Sequence, residues 1–222
     1  MLNTYFIQKF LREKIKPNQT ITLGTSATSL KLLKELALHN VINDLNLILV
    51  PSSIDMAHIA NEFHIKIAPL QHKIDLCIDF ADYADNFFNY IKTNTESLIR
   101  DKMLARYSKD CYVFVYKKDF KKKDISIPLE VSKFGPHLIE KELYSYGDAK
   151  IRTTKIGQRY KTIESNYIID LKPNTRYFDF DDLEFKLKAI PGILETGLFS
   201  SFADKLFTVD KTKIKEELNK NR

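Results

Sequence analysis

Between Asp79 and Asp101 the sequence carries two aspartates spaced Asp79-x-x-Asp82, then Lys92, then Asp101. Carboxylates can move protons and an ammonium can steady a developing oxyanion, so this set points to acid–base chemistry on a polar substrate. It follows KIDLCID (residues 73–79), which reads as a buried strand with the carboxylates at its end. Aspartate is also a common turn residue after a strand, so Asp79 and Asp82 need support from their surroundings.

Two details supply that support. Thr93-Asn94-Thr95-Glu96 has the form of a capping box, which predicts a helix over residues 94–109 that begins just after Lys92. On that helix, at about 100° per residue, Asp101 projects between Leu104 on one side and Ala105 and Leu98 on the other. An acid flanked by apolar residues is expected to be partly buried. Burial raises a carboxylate's pKa toward the range useful for a general base. The competing reading is an exposed acid beside Arg100 and Lys102.

The elements that must position these residues alternate strand with helix. QTITLG (19–24) is a β-branched strand, and Thr28 to Leu38 carries apolar residues at helical spacing. LNLILV (45–50) is a second strand, followed by Pro51-Ser52-Ser53 and a helical pattern to His64. KIDLCID is the third strand and CYVFVY (111–116) the fourth. This alternation predicts a mainly parallel sheet covered on both faces. After Ile125 the order becomes IPLEVSKF strand, Pro136 to Tyr146 helix, AKIRTTK strand, NYIIDL strand, DFDDLEFKLKAI helix and GILETGLF strand. That β-α-β-β-α-β order is ferredoxin-like. KLFTVDKTKI then reads as a strand returning to the first sheet. The fold class is therefore α/β, a Rossmann-like mainly parallel sheet with a smaller ferredoxin-like α+β domain. The domains fall at 1–125 plus 199–222 and at 126–198.

Ligands of open parallel sheets bind beyond the carboxyl ends of the strands. Here those ends read Gly24-Thr25-Ser26-Ala27-Thr28-Ser29, Ser52-Ser53 and Asp79-Phe80-Ala81-Asp82. The first leads straight into a helix, whose N–H groups with hydroxyls beside them suit a phosphate. The same serines and threonines also serve as ordinary helix caps. Neither GK[ST] nor GxGxxG is present, which disfavours ATP, GTP and NAD.

The chain has 222 residues, 44% of them hydrophobic and 29% charged, an ordinary composition for a soluble globular protein of one large or two unequal domains. No apolar run approaches the roughly 18 residues of a membrane span. The N-terminus reads as an amphipathic helix rather than a signal peptide. Cys77 and Cys111 form neither a disulfide framework nor a metal spacing, and Cys77 is expected to pack inside its strand. A cytoplasmic protein is expected. The five histidines, His39, His58, His64, His72 and His137, are scattered, so no metal site is expected. Net charge is +6, with lysines at 117, 118 and 121–123 and in the tail KTKIKEELNKNR. These runs could bind a polyanion, but arginine–aromatic interleaving is missing and the tail mixes its lysines with acids. A solvated surface is the better reading, and nucleic acid is not an expected partner.

At the residues singled out above, the chain resembles ribose-5-phosphate isomerase type A over nearly its whole length. GTSATS stands where that family has a GTGST phosphate loop, VPSS matches its strand-end serines, and IDFADYAD its DGADE signature. Lys92 sits where the family's lysine opens a KGGGG loop, and Asp101-Lys102 where it has a Glu-Lys pair containing its base. IPLEV and IPGILETGLF match the start and close of the small domain. Departures are Phe80 for glycine and Tyr83 for glutamate in the signature, and Thr93, Asn94, Thr95 and Glu96 for the glycines. Ser26 and Ala27 change the phosphate loop. The lysine of a D-x-S-K segment faces Asp119 in a gapless match, leaving Lys118 or Lys117 to substitute.

The resemblance implies isomerisation of D-ribose 5-phosphate to D-ribulose 5-phosphate, in the non-oxidative branch of the pentose phosphate pathway, without metal or organic cofactor. It makes Asp101 the base, Lys92 the oxyanion stabiliser, and Asp79 and Asp82 ligands of the sugar hydroxyls. Substrate-binding positions are then Thr25, Ser26, Ala27 and Thr28 around the phosphate, with Lys118, and Phe80, Ala81, Thr93, Asn94 and Thr95 around the sugar. It also implies a homodimer or homotetramer. Aspartate is shorter than glutamate by one methylene, roughly 1.5 Å. That shortening motivates an alternative, a catalytically weakened relative that binds a sugar phosphate.

Overall fold

The computed structural model describes residues 3–70, 73–120, 125–174, 179–210 and 213–220. The lysine run at 121–123, His72 and parts of the basic tail lie outside the described residues. The chain folds as two compact units, one of Met1–Phe80, Met103–Phe114 and Ala203–Arg222, the other of Ala81–Lys102 and Val115–Phe202.

In the first unit, helix α1 (Thr4–Lys14) is followed by β1 (Thr20–Leu23), α2 (Ala27–Ile42), β2 (Ile48–Pro51), α3 (Ile54–Glu62) and β3 (Lys66–Ile67). Strand β4 (Ile74–Ala81) then pairs in parallel with β1, whose other neighbour is β2, also parallel. β1 is buried at every position, as a central strand covered on both faces must be. Cys77 packs in β4, 1% exposed. β4 runs two residues past Asp79, so this aspartate lies inside the strand rather than after it. The last β1–β4 pair is Leu23–Ile78, and Asp79 follows it directly, at the carboxyl rim of the parallel strands.

Two short strands come next, β5 (Tyr83–Ala84) and β6 (Tyr90–Ile91), then α4 (Leu98–Tyr107) and β7 (Ser108–Tyr116). The small α+β domain follows as β8 (Ile127–Val131), α5 (Pro136–Leu143), β9 (Gly147–Ile151), β10 (Tyr167–Pro173), α6 (Phe180–Lys188) and β11 (Ile193–Thr196). Its sheet order, β11-β8-β10-β9, is antiparallel at every neighbour and is the ferredoxin-like order. Ile127, Leu129 and Val131 of β8 pack with Ile139 and Leu143 of α5 and Leu183 and Leu187 of α6. Gly147 opens β9 where any side chain would collide, since a Cβ there would meet the Lys172 carbonyl oxygen at 2.0 Å.

GILETGLF, expected as one strand, divides at Gly197 into β11 and β12 (Leu198–Phe199), and β12 joins β6 and β5 in a separate three-stranded antiparallel sheet. The tail forms a hairpin, β13 (Lys205–Val209) with β14 (Ile214–Leu218), at one edge of the seven-stranded sheet. Glu216 of β14 accepts from Lys14 and Lys205, each at 3.0 Å, so acids of the tail neutralise nearby lysines.

Candidate active site

The small sheet brings Asp82 and Lys92 to neighbouring positions. Asp82 donates its backbone N–H to the Ile91 carbonyl at 2.9 Å, and Lys92 donates its own to Gly197 at 3.2 Å. The β5–β6 turn is held by Asp85, which accepts from the N–H groups of Phe87 and Asn89. Lys92 therefore leaves the end of a strand, and α4 begins only at Leu98. The predicted start near residue 94 is corrected by four residues. Thr93 does not cap the helix because its N–H and hydroxyl both donate to Asp82, at 2.7 and 2.6 Å.

The true cap is built from two residues. Ser97 accepts from the Arg100 N–H at 3.3 Å. Glu130, completely buried on β8, accepts from the N–H groups of Leu98 at 2.8 Å and Ile99 at 3.2 Å. A carboxylate at a helix N-terminus satisfies orphan donors and complements the helix dipole. Thr162 and Asn166 also donate to Glu130, at 2.8 and 3.0 Å. Its position inside IPLEV, an apolar strand, was the available sign that a charge is buried there for a reason.

Asp101 lies in the first turn of α4 and is 1% exposed, among Leu98, Leu104 and Ala105. Lys92 is equally buried, and its Nζ stands 2.7 Å from Asp101 Oδ2. Thr95 donates to the same oxygen at 2.5 Å. Burying an ammonium and a carboxylate is expensive unless they face one another with further hydrogen bonds. Such a pair supplies a proton acceptor and a cation at one place.

The loop between β6 and α4 is tied down through its carbonyls. Arg152 donates to Thr93 O at 2.8 Å while its guanidinium holds Asp170. Tyr160 donates to Thr95 O at 3.2 Å, and Ile163 N to Glu96 O at 3.0 Å. Burial, reinforced by the neighbouring Glu96 carboxylate, pushes the Tyr160 phenol above the usual tyrosine range, so it stays a donor. A cleft of about 530 Å³ is lined by Asp82, Thr93, Asn94, Lys118 and Lys172 among others. Lys172 was not anticipated, since a lone lysine in a strand reads as a solvated position.

In the first unit, Ser26 is the N-cap of α2 and accepts from Ser29 N at 3.0 Å; Ser53 caps α3 in the same way. Thr25 donates to Ser52 at 3.0 Å, tying two strand ends together. Thr28 is half-buried and Ala27 exposed in the first turn of α2. Asp79, 1% exposed, accepts from Phe80 N at 2.8 Å. Phe80 stacks on Phe114 with centroids 5.3 Å apart, and in the second unit Tyr83 stacks on Phe180 at 5.9 Å. Ala81 is buried. The rings that replace a glycine and a glutamate in the aspartate signature are thus engaged in packing.

Lys102, next to Asp101, is held by Glu184 and Glu195, the latter at 2.8 Å, and lies 5.2 Å from the Phe199 ring centroid. Burial pushes the Glu195 carboxyl up, but the charge and hydrogen bond of Lys102, with Thr196 N and Lys188, outweigh it and leave it below the usual range. A lowered folded-state pKa stabilises the fold above the unfolded value, near 4.3, and that stability disappears as pH falls through the folded value. Glu195→Gln should therefore lose about 1–3 kcal/mol at neutral pH. The gap in Tm between the two proteins should stay constant down to pH ~4.5 and narrow below it. A gap that widens on acidification contradicts this.

A family profile for ribose 5-phosphate isomerase A (phosphoriboisomerase A) matches residues 48–213. Ribose-5-phosphate isomerase A of Listeria monocytogenes is 32% identical over 197 residues, 86% of this chain and 87% of the relative. That of Thermoplasma volcanium is 30% identical over 198 residues, 87% and 82%. A solved D-ribose-5-phosphate isomerase in complex with phospho-erythronic acid is 26% identical, with a TM-score of 0.89 over 98% of this chain and all of the other. With the fold, the aspartates and the Lys92–Asp101 pair in place, the chain belongs to the ribose 5-phosphate isomerase A family.

Proposed function

We propose that this protein interconverts D-ribose 5-phosphate and D-ribulose 5-phosphate, serving the non-oxidative branch of the pentose phosphate pathway. The observation that carries the reading is the buried contact between Lys92 Nζ and Asp101 Oδ2 at 2.7 Å. The open-chain aldose gives up its C2 proton to Asp101. The C2–H electron pair becomes the C1–C2 double bond, and the C1 carbonyl pair moves onto O1. Lys92 stabilises that oxyanion. The hydroxyl proton on O2 passes to O1, and Asp101 returns its proton to C1, leaving a ketone at C2.

Asp79 and Asp82 are assigned the sugar hydroxyls and ring opening. The Thr25–Thr28 loop is assigned the phosphate, with Lys118 assisting. The phospho-erythronic acid held by a solved relative is itself a phosphorylated sugar acid, which suits this assignment. We place the protein in the cytoplasm as a homodimer or homotetramer. Among the described residues no helix is long and apolar enough to cross a membrane.

The purified protein, given ribose 5-phosphate in D₂O, should form ribulose 5-phosphate with deuterium appearing at C1. NMR follows both. Absence of ketose, or ketose formed without any exchange at C1 over prolonged incubation, rejects the proton-transfer scheme.

A further inference from the structure

We infer that Thr95 is a positioning residue for proton transfer: its hydroxyl holds the Asp101 carboxylate beside Lys92 in the reactive orientation. This rests on the assignment of Asp101 as base.

Thr95 lies in the loop between β6 and α4 and is 6% exposed. Its Oγ1 accepts from Ser97 N at 3.1 Å, which turns the hydroxyl proton away from that N–H. Two acceptors remain within reach, Ser97 O at 3.2 Å and Asp101 Oδ2 at 2.5 Å. The carboxylate oxygen is nearer and carries charge, so it takes the proton; charge-assisted O–H bonds have this short length. Oδ2 is thereby fixed by two donors from different directions, the Lys92 ammonium at 2.7 Å and the Thr95 hydroxyl.

The loop that carries the anchor is itself tied down. Carbonyls at Thr93, Thr95 and Glu96 are bonded to Arg152, Tyr160 and Ile163. The helix carrying Asp101 is fixed at its first turn by Ser97 and Glu130. An aspartate reaches only a short way from its helix. A donor on a loop bonded at three carbonyls adds to the Lys92 ammonium a second restraint on rotation of the carboxylate about its final bond. Misplacement near 1 Å can cost on the order of 10²-fold in rate.

Thr95→Val keeps the shape and removes the hydroxyl. It should lower kcat by ~10–100-fold while KM for ribose 5-phosphate changes less than about threefold. Thr95→Ser keeps the hydroxyl and should stay within about threefold of wild type in kcat. With substrate deuterated at C2, the isotope effect on kcat should rise in Thr95→Val, because proton transfer alone is slowed. A loss of folded enzyme would leave the isotope effect unchanged. In the Asp101→Asn background, Thr95→Val should have no further effect on kcat.

Wild-type kcat in Thr95→Val, an unchanged isotope effect, or additive losses in the double variant overturns the role of Thr95. If Asp101→Asn is inactive in that experiment, the base assignment survives without Thr95. If Asp101→Asn turns over normally, the base assignment falls and Thr95's role falls with it.

Discussion

Asp101→Asn is expected to reduce kcat by about 10²–10⁴-fold, the range typical of a positioned general base, with KM for ribose 5-phosphate little changed. Asparagine has the same shape and can still accept from Lys92 and Thr95 through its amide oxygen, so geometry is retained while proton affinity is lost. The side chain is 1% exposed at the first turn of α4, between Leu98 and Ala105. Steady-state ketose formation and exchange of the C2 proton with solvent are the two measurements. They should fall together, since both pass through the same proton transfer. Exchange persisting at the wild-type rate while ketose formation falls would give the C2 proton to a different base.

The resemblance points to this residue, and the structure buries its carboxylate against the Lys92 ammonium. Its helical face was legible because Leu98, Leu104 and Ala105 surround it at 3.6-residue spacing. The start of its helix was not. Thr93-Asn94-Thr95-Glu96 satisfies the local pattern of a capping box, but Thr93 is drawn to Asp82 and Thr95 to Asp101. Tertiary hydrogen bonds to half-buried Asp82 and buried Asp101 outweighed a local cap worth about 1 kcal/mol. Glu130, which completes the real cap, is distant in sequence and no local window reaches it.

The parallel sheet and the small domain were readable for the opposite reason. Their strands include mostly apolar segments of five to eight residues, such as Ile74–Ala81 and Ile127–Val131. The three-stranded sheet escaped notice because each of its strands has two residues. Two residues cannot display an alternation. Yet this sheet carries Lys92 and lies next to Asp82, so the least legible element positions much of the site. The rings of Phe80 and Tyr83 posed a question that sequence could not answer, whether they crowd the substrate or pack. Their stacking on Phe114 and Phe180 required partners 34 and 97 residues away (114 − 80 and 180 − 83).

Lys92→Met should have the second large effect, on rate and on stability together. The ammonium is 1% exposed and faces a carboxylate that is just as buried. Removing one partner of a buried ion pair typically costs about 3–5 kcal/mol, because the remaining charge has lost its compensation. Methionine fills the stem volume, so little of that loss comes from a cavity. The oxyanion on O1 would meanwhile lose its cation, worth about 10²–10³-fold in kcat. The two losses separate in the double variant Lys92→Met/Asp101→Asn. Neutralising both partners removes the buried charge, so Tm should recover part of the decrease seen in Lys92→Met, while turnover should fall no lower than in Asp101→Asn alone. Chemical denaturation and steady-state kinetics on the four proteins measure both quantities. A Lys92→Met protein with wild-type kcat, or a double variant less stable than the sum of the singles, would show that this pair is not the coupled acid–base unit its 2.7 Å contact indicates.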